Sequence, residues 1–327
     1  MATLITGGTG LIGAEVAKLL VERGEEGPVL FDLRPSSRRL EELGPGAEVV
    51  RGDVGTFSHV LSAVKRVRPT VIYHLGAMLT TGCEADPPGA VRANALGTFH
   101  VLEAARLFDV RQVVFTSSIG TYGSDLGDGP LTNATLQRPL FLYGATKLFG
   151  EHLGLFYRRT QGLDFRGVRF PSIVAPGVAT PGAVQYISWV IEASAKGTPF
   201  TIPVLPETRV PVLYLKDAAR ALVELAAAPR ERIRTAVYLL GGPTPVPSAG
   251  ELATLVRARV PAARIEFRPD PALQRLVDPL ARAIADDEAR AEWGWQPRCG
   301  LEAMVDEFLR EMSLHPERYD GGREAGA

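Results

Sequence analysis

The sequence is poor in cysteine, lysine and long apolar runs, and each shortage removes a class of protein. Cys83 and Cys299 are the only cysteines among 327 residues. Two cannot build a disulfide framework or, by themselves, a zinc cage, which fits a reducing compartment and leaves no metal site to expect. Lysine occurs five times against 31 arginines, and the 36 basic residues nearly cancel the 37 acidic ones, for a formal charge of −1. No basic block stands out, so the footprint of a nucleic-acid binder or of a protein drawn to anionic lipid is missing. A membrane span needs about 20 consecutive apolar residues. The apolar runs here are short, and even the alanine-rich Ala218–Ala228 is broken by Arg220 and Glu224. The N-terminal MATLITGG has no secretory pattern, so the expected location is cytoplasmic. What is present, 46% hydrophobic and 22% charged residues, is the make-up of a globular chain with one large domain or two closely packed ones.

Over the first half, short Val-, Ile- and Leu-rich runs alternate with amphipathic stretches. Thr3–Thr6, Val29–Asp32, Glu48–Arg51, Thr70–Leu75 and Gln112–Ser117 read as strands; Leu11–Arg23, Ser58–Arg68, Gly89–Phe108 and Tyr143–Gln161 carry helical spacing. In the last, Ala145, Leu148, Phe149, His152, Leu153 and Phe156 share one apolar face. Near-continuous apolar strands between helices predict an α/β fold with a doubly wound parallel sheet covered on both sides. After Arg169 proline and glycine become frequent, but Ala183–Ala195, Ala218–Ala227, Gly250–Arg259 and Glu302–Met312 still read as helices. Leu163–Arg169 and Ala236–Leu240 are expected to add two strands. The expected division is a sheet domain over 1–170, with about 210–245 returning to it. A small interleaved substrate-binding cap would take 171–209 and 246–312, and a frayed tail 313–327.

The first strand runs into Thr6-Gly7-Gly8-Thr9-Gly10-Leu11-Ile12-Gly13. Gly7 allows a tight turn, Gly10 lets backbone approach a pyrophosphate, and Gly13 lets the helix pack closely on the strand. The free amides and positive dipole end of that helix would face the anion. The motif sits after a strand and before a helix, the context a dinucleotide site requires. Asp32 closes the second strand 19 residues after Gly13, where a carboxylate accepts hydrogen bonds from an adenosine ribose and repels a 2′-phosphate. NAD is thus favoured over NADP, with Arg34 two residues on as the opposing signal. Asp53 after the third strand is placed to meet the adenine edge or to serve as an ordinary turn aspartate.

Tyr143 and Lys147 stand four residues apart, one face of a helix, so both reach one site. A nearby ammonium is expected to pull the phenol down from its ordinary value of about 10, making Tyr143 a general acid/base for a hydroxyl or ketone. Ser118, just past the end of the fifth strand, offers a hydroxyl to the same substrate oxygen.

With these residues in view, the sequence resembles the short-chain dehydrogenase/reductase superfamily, in particular its extended branch of NAD-dependent epimerases and dehydratases. The resemblance rests on TGGTGLIG, Phe31-Asp32, Gly52–Val54, His74–Ala77, Asn94–Thr98 and Ser117-Ser118…Tyr122-Gly123, and covers the chain to about residue 312. It implies a Rossmann domain and a Ser118–Tyr143–Lys147 triad around a nicotinamide, with Lys147 also holding the nicotinamide ribose. The implied cofactor set is Gly7, Gly10, Leu11, Ile12, Asp32, Asp53, Val54, Leu75, Gly76, Ala77, Asn94, Thr116, Tyr143, Lys147 and Phe170, with a packing role for Asn94 equally open. Within the branch, Val168–Pro171, Val210–Ala218 and Asp286–Trp295 are similar to the short-chain type of L-threonine 3-dehydrogenase; Trp293 and Trp295 are expected simply to pack. The stretch Gly182–Tyr186 departs from that group, since Gln185 stands where the group has an acid, and Val277–Pro279 shortens another of its motifs. Substrate contacts are expected from Thr80, Ser117, Ser118, Gln185 and Arg209, with Thr81 beside Thr80.

Three functions follow. The leading one is an NAD-dependent dehydrogenase of a small polar alcohol, possessing Tyr143 as acid/base; the substrate stays open among threonine, a hydroxy acid, a sugar acid and another small polyol. A nucleotide-sugar epimerase or dehydratase with tightly held NAD is the alternative, and would need cations for a diphosphate, Arg209 among them. A non-catalytic NAD-binding protein would be expected to have lost Tyr143 or Lys147. A homodimer through Gly89–Phe108 and Tyr143–Gln161 is implied by analogy with related proteins.

Overall fold

All four residues of Thr3–Thr6 (β1) are buried, as a strand covered on both faces must be. The computed structural model describes residues 2–319 apart from 26, 36–37 and 128. From β1 the chain passes to Leu11–Glu22 (α1), Val29–Asp32 (β2), Glu48–Arg51 (β3), Phe57–Val67 (α2) and Val71–His74 (β4). Two short helices follow, Thr80–Ala85 (α3) and Pro87–Ala90 (α4). The backbone then winds through a π-helical stretch, Val91–Leu96, into Gly97–Leu107 (α5). Gln112–Ser118 (β5), Leu142–Gln161 (α6) and Asp164–Phe170 (β6) end the first half. The second contains Ser172–Val174 (β7), Tyr186–Ala195 (α7), Phe200–Ile202 (β8), Val212–Tyr214 (β9), Leu215–Ala227 (α8) and Val237–Leu239 (β10). Ala249–Arg259 (α9), Ile265–Phe267 (β11), Pro271–Val277 (α10), Asp287–Trp293 (α11), Leu301–Leu314 (α12) and Pro316–Tyr319 (α13) close it.

The expected doubly wound sheet is present: seven strands in the order β10-β6-β5-β4-β1-β2-β3, every neighbouring pair parallel. The order in which strands are added reverses between β1 and β4, and in such sheets ligands bind in the crevice outside the carboxyl ends of the strands. Thr6, Asp32, His74, Ser118 and Phe170 are the last residues of β1, β2, β4, β5 and β6, so the fold alone brings these positions to one edge.

One face of the sheet is sealed by α1 and α8, with Val16, Leu20, Leu222 and Leu225 against Ile5, Leu30 and Val168. The other is sealed by α2, α5 and α6, with Val60, Val101, Leu102 and Tyr157 against Phe115 and Phe165. The α6 helix packs the opposite way round from its apolar stripe. Its buried side carries Gly144, Thr146, Lys147, Gly150, Glu151 and Gly154, while Phe149, His152 and Phe156 are exposed. The strands supply the apolar rings and α6 supplies room. A β-carbon on Gly150 would stand 2.7 Å from the Phe115 ring, and one on Gly154 only 2.1 Å from Phe165.

Polar side chains fix α8 and α6 to the sheet. Buried Arg166 on β6 pairs with Asp164 at 2.7 Å and donates to the carbonyls of Leu225 and Ala228, at and just past the last turn of α8. Arg169 on β6 pairs with buried Glu151 on α6, also at 2.7 Å. The smaller sheets, β11-β8 and β7-β9, lie outside the large one. A second core forms where α7, α9 and α12 meet, through Val190, Ile191, Ala253, Val256, Met304 and Phe308. The start of α9 is held by a capping box in which Ser248 and Glu251 satisfy each other's backbone amides.

The tail departs from expectation. Residues 313–314 still belong to α12 and Pro316–Tyr319 is helical. Tyr319 is buried, and its hydroxyl donates to Glu311 at 3.0 Å. The rest of the expected frayed segment, 320–327, lies outside the described residues. No described helix is long and apolar enough to cross a membrane.

Candidate active site

The glycine-rich turn is built by close backbone approach. Gly7 has φ +66°, and a β-carbon there would sit 2.7 Å from the Gly76 nitrogen, in the segment leaving β4. One on Gly13 would meet the Gly7 carbonyl at 2.3 Å, and one on Gly8 would meet Leu30 at 2.7 Å. These glycines weld β1, α1, β2 and the end of β4 together. Gly10 differs, since only the Gly7 carbonyl, at 3.2 Å, lies within 4 Å of its missing β-carbon. The same residue begins α1 with no side-chain cap and no acid in the first turn. The first amides of α1, beside the open side of Gly10, therefore fit a phosphate. Leu11 and Ile12 are half-buried there.

Asp32 organises this turn as well as facing it. Its carboxylate accepts from the Thr9 amide and the Arg34 amide, each at 3.1 Å, and the Thr9 hydroxyl donates to the Arg34 carbonyl. The lone pairs left over are those available to a ribose. Asp53 forms a local turn, accepting from Gly55 at 2.8 Å. Val54 packs on Gly97 at the start of α5.

Ser118, Tyr143 and Lys147 come together where β5 ends and α6 begins. Gly120 in the turn after β5 packs on the Tyr143 ring, and the Gly120 carbonyl nearly touches Gly144. The Ser118 hydroxyl accepts from the Gly120 amide at 3.0 Å and hydrogen-bonds Tyr143. Buried Lys147 donates to the Thr116 carbonyl at 2.7 Å, with its ammonium 4.9 Å from the centre of the Phe115 ring and 5.8 Å from that of Tyr143. Burial pushes Lys147 down to about 8 and Tyr143 up to about 12, against the downward pull of the Ser118 hydrogen bond. The expected lowering of the phenol is thus reversed: desolvation outweighs its neighbours, and the ammonium is aimed at a backbone carbonyl. Buried Cys83 is a third titratable group within electrostatic reach of both.

Two polar residues hold the approach to this cluster. Asn94, in the π-helical stretch, accepts from the Met78 amide at 2.7 Å and donates to the Met78 carbonyl and the Thr146 hydroxyl. Its amide is spent on protein, so it clamps the loop after β4 to α6, in keeping with the packing role left open for it. His74 lies between Thr6 at 2.7 Å and Thr98 at 3.0 Å. Thr98 gives its own proton to the Asn94 carbonyl, so His74 donates through Nε2 and accepts from Thr6 at Nδ1. Thr6 in turn receives the Gly76 amide at 3.2 Å. Burial, aided by Lys147, lowers His74 to about 3 and keeps it neutral. Leu75, Gly76 and Ala77 are half-buried along this edge, while Phe170 is buried at the end of β6.

Other expected contacts are corrected. Ser117 is buried and donates to Glu151, whose carboxylate also takes Arg169 and Gln137. It belongs to an internal ion-pair network and not to a substrate surface. Arg209 forms a fork with exposed Glu251 at 3.0 and 3.1 Å and donates to the Val246 carbonyl, so its charge is engaged at the start of α9. Gln185 folds back on its own loop, where its side-chain oxygen accepts from Val184 at 3.3 Å. Thr80 opens α3 half-buried, and Thr81 ties that helix to the Pro181 carbonyl at 2.6 Å. Glu84 of α3, which no sequence motif singles out, has a carboxylate that accepts from the Leu142 amide at 3.1 Å, next to Tyr143. Only its presence four residues after Thr80 could have drawn notice.

The model of the NAD dependent epimerase/dehydratase family matches residues 3–241. The sequence is similar to the mitochondrial L-threonine 3-dehydrogenase of Bos taurus, with 30% identity over 308 residues, 94% of this chain and 81% of that protein. The structure is similar to a GalE-like L-threonine dehydrogenase from Cupriavidus necator in its holo form. That match has a TM-score of 0.87 and 28% identity, covering 95% of this chain and 100% of the other. In fold it is also similar to UDP-glucose 4-epimerase from Thermotoga maritima, with a TM-score of 0.85 and 21% identity over 97% of this chain and 100% of that one.

Proposed function

The chain belongs to the NAD dependent epimerase/dehydratase family and is an NAD-dependent oxidoreductase, and from that premise we propose that it oxidises the secondary hydroxyl of L-threonine or a close analogue. The observation that carries this reading is the gathering of Ser118, Tyr143 and Lys147 at the strand edge onto which the glycine-rich turn also opens.

The first amides of α1 beside Gly10 hold the pyrophosphate and Asp32 holds the adenosine ribose, its negative charge disfavouring a 2′-phosphate. Bound there, NAD supplies the hydride acceptor. Ser118 orients the substrate oxygen and steadies the negative charge that develops on it. In the reductive direction the neutral phenol of Tyr143 gives the proton of its hydroxyl to that oxygen. In the oxidative direction Tyr143 must first ionise, and Lys147 is the cation that favours the phenolate. Thr116 fixes the ammonium by accepting from it, so the charge stays beneath the ring.

An amino-acid substrate brings an ammonium of its own. With Gln185 neutral and turned into its loop, Glu84 is the carboxylate we assign to it, because it is held at the first residue of α6. Two copies of the chain pair through α5 and α6: Phe99, Leu107, Phe149 and Phe156 are all exposed on these helices, and the inward side of α6 is already filled. Both cysteines are free, consistent with a reducing compartment such as the cytoplasm.

Purified protein given NAD and L-threonine is expected to form NADH in step with loss of threonine. Conversion of a nucleotide-diphosphate sugar with no net NADH would replace this reading by the epimerase one, for which the engaged Arg209 offers no support. Inertness toward threonine, its 3-hydroxy analogues and such sugars would remove it.

A further inference from the structure

A cavity of about 480 Å³ opens at the far end of α1 from the glycine-rich turn. Arg23 follows the last residue of α1, and 12 helical residues at about 1.5 Å each set the cavity roughly 18 Å from the candidate cofactor turn. Arg23, Arg220, Arg232 and Arg298 line it, with Glu224 the only acid among its lining residues and Trp293 its aromatic wall.

The charges are unequally committed. Arg220 is buried and spends one nitrogen on Glu224 and the other on Asp217 and the Gln296 carbonyl, each at 2.7 Å. Its guanidinium lies 4.9 Å from the centre of the Trp295 ring, and its Nε has no acceptor. Glu224 also takes Arg298 at 3.3 Å. Asp217, behind the wall, is occupied by Arg220 and by the Arg298 and Cys299 amides. Arg23 and Arg232 stand exposed with no side-chain partner among the described residues. Among the lining residues and Asp217 behind them, four guanidiniums face two carboxylates, a surplus of positive charge at the cavity. Trp293 Nε1, a second buried donor in the wall, also lacks an acceptor. Guanidinium forks match phosphate oxygens in pairs, and the volume falls within the range of small-molecule sites, about 300–1,000 Å³.

We propose that this cavity binds a phosphorylated small molecule carrying at least two negative charges, gripped by Arg23 and Arg232 against the Arg220–Trp293 wall. It is a site separate from that of NAD, and its existence does not depend on which alcohol the enzyme oxidises.

The test titrates inorganic pyrophosphate, and in parallel ATP, into protein already saturated with NAD so that the glycine-rich turn is filled. Tryptophan fluorescence reports on Trp293 at the wall. Saturable binding is expected, weakening with added salt, and falling about tenfold or more in the double variant Arg23→Ala/Arg232→Ala. Turnover and NAD affinity of that variant stay at wild-type values, since neither residue belongs to the catalytic cluster. Tighter binding of ATP than of pyrophosphate would identify a nucleotide whose ring uses Trp293; equal binding would identify the phosphate group alone as what is recognised. No saturation by about 1 mM of either probe, which is weaker than about −4 kcal/mol, overturns the proposal. So does saturable binding that the double substitution leaves unchanged.

Discussion

The Gly120 carbonyl stands so close to Gly144 that a β-carbon on Gly144 would lie 1.9 Å from it. That contact presses the first turn of α6 onto the turn after β5, and so sets the Tyr143 phenol beside Ser118. The obstacle is backbone on both sides, so it cannot be relieved by a rotamer change. Gly144→Ala must therefore move the start of α6, and a misplacement near 1 Å costs about a hundredfold in rate. The expected outcome is a kcat reduced by that order with NAD affinity nearly unchanged, measured by steady-state kinetics and calorimetry. Wild-type turnover would show that this approach does not set the phenol.

The pH profile follows from two opposed shifts. Tyr143, pushed up to about 12 by burial, is almost wholly protonated at neutral pH, so the phenolate fraction that oxidation requires grows with pH. Lys147, pushed down to about 8, carries its charge below that value and loses it above. The kcat/KM for oxidation is expected to climb from pH 6 to about 8 and then flatten as the ammonium discharges. Lys147→Arg, which stays charged throughout, is expected to be less active at pH 7 but to keep climbing past 8. A wild-type profile flat from pH 6 to 8 would contradict this assignment of the proton.

Much of this was legible in the sequence. The sheet could be read because its strands are short apolar runs closed by Gly, Asp or Ser, and the Tyr143–Lys147 spacing is a property of any helix. The direction α6 faces was not legible from periodicity alone. Its apolar stripe suggests an inward side, but Lys147 and Glu151 need partners that β5 and β6 supply, and Gly150 and Gly154 matter only once Phe115 and Phe165 are known to press on them. The roles of Ser117 and Arg209 are hidden in the sequence for the same reason. A serine at a strand end and an arginine before a strand both look open until Glu151 and Glu251, distant in sequence, arrive beside them.

The outward stripe of α6 has a consequence in solution. Phe149 is 48% exposed and Phe156 45%, seven residues apart on one side of the helix, and Phe99 and Leu107 of α5 are exposed as well. Aromatic rings of this size left in water are costly, at about 25 cal/mol per Å², and a second copy relieves both helices at once. Wild-type protein is expected to sediment as a dimer at micromolar concentration, and Phe149→Glu as a monomer, because each interface would then bury two carboxylates. An unchanged sedimentation coefficient in the variant would place the contact elsewhere.

Glu84 offers the sharpest test of substrate class. Its carboxylate caps the Leu142 amide from α3, leaving one oxygen for a ligand, at the residue preceding the phenol. If the substrate is an amino acid, Glu84→Gln removes the charge that meets its ammonium while preserving an oxygen for Leu142. An exposed ion pair of this kind is worth about 1 kcal/mol or less and a partly desolvated one more, so KM for L-threonine is expected to rise about fivefold to fiftyfold. The kcat should move little, since no proton in the reaction passes through Glu84. A 3-hydroxy acid without the amine separates charge recognition from a fold defect: its KM should stay level or fall as the repelling carboxylate disappears. Equal losses for both compounds would mean that Glu84 only holds α6 in place.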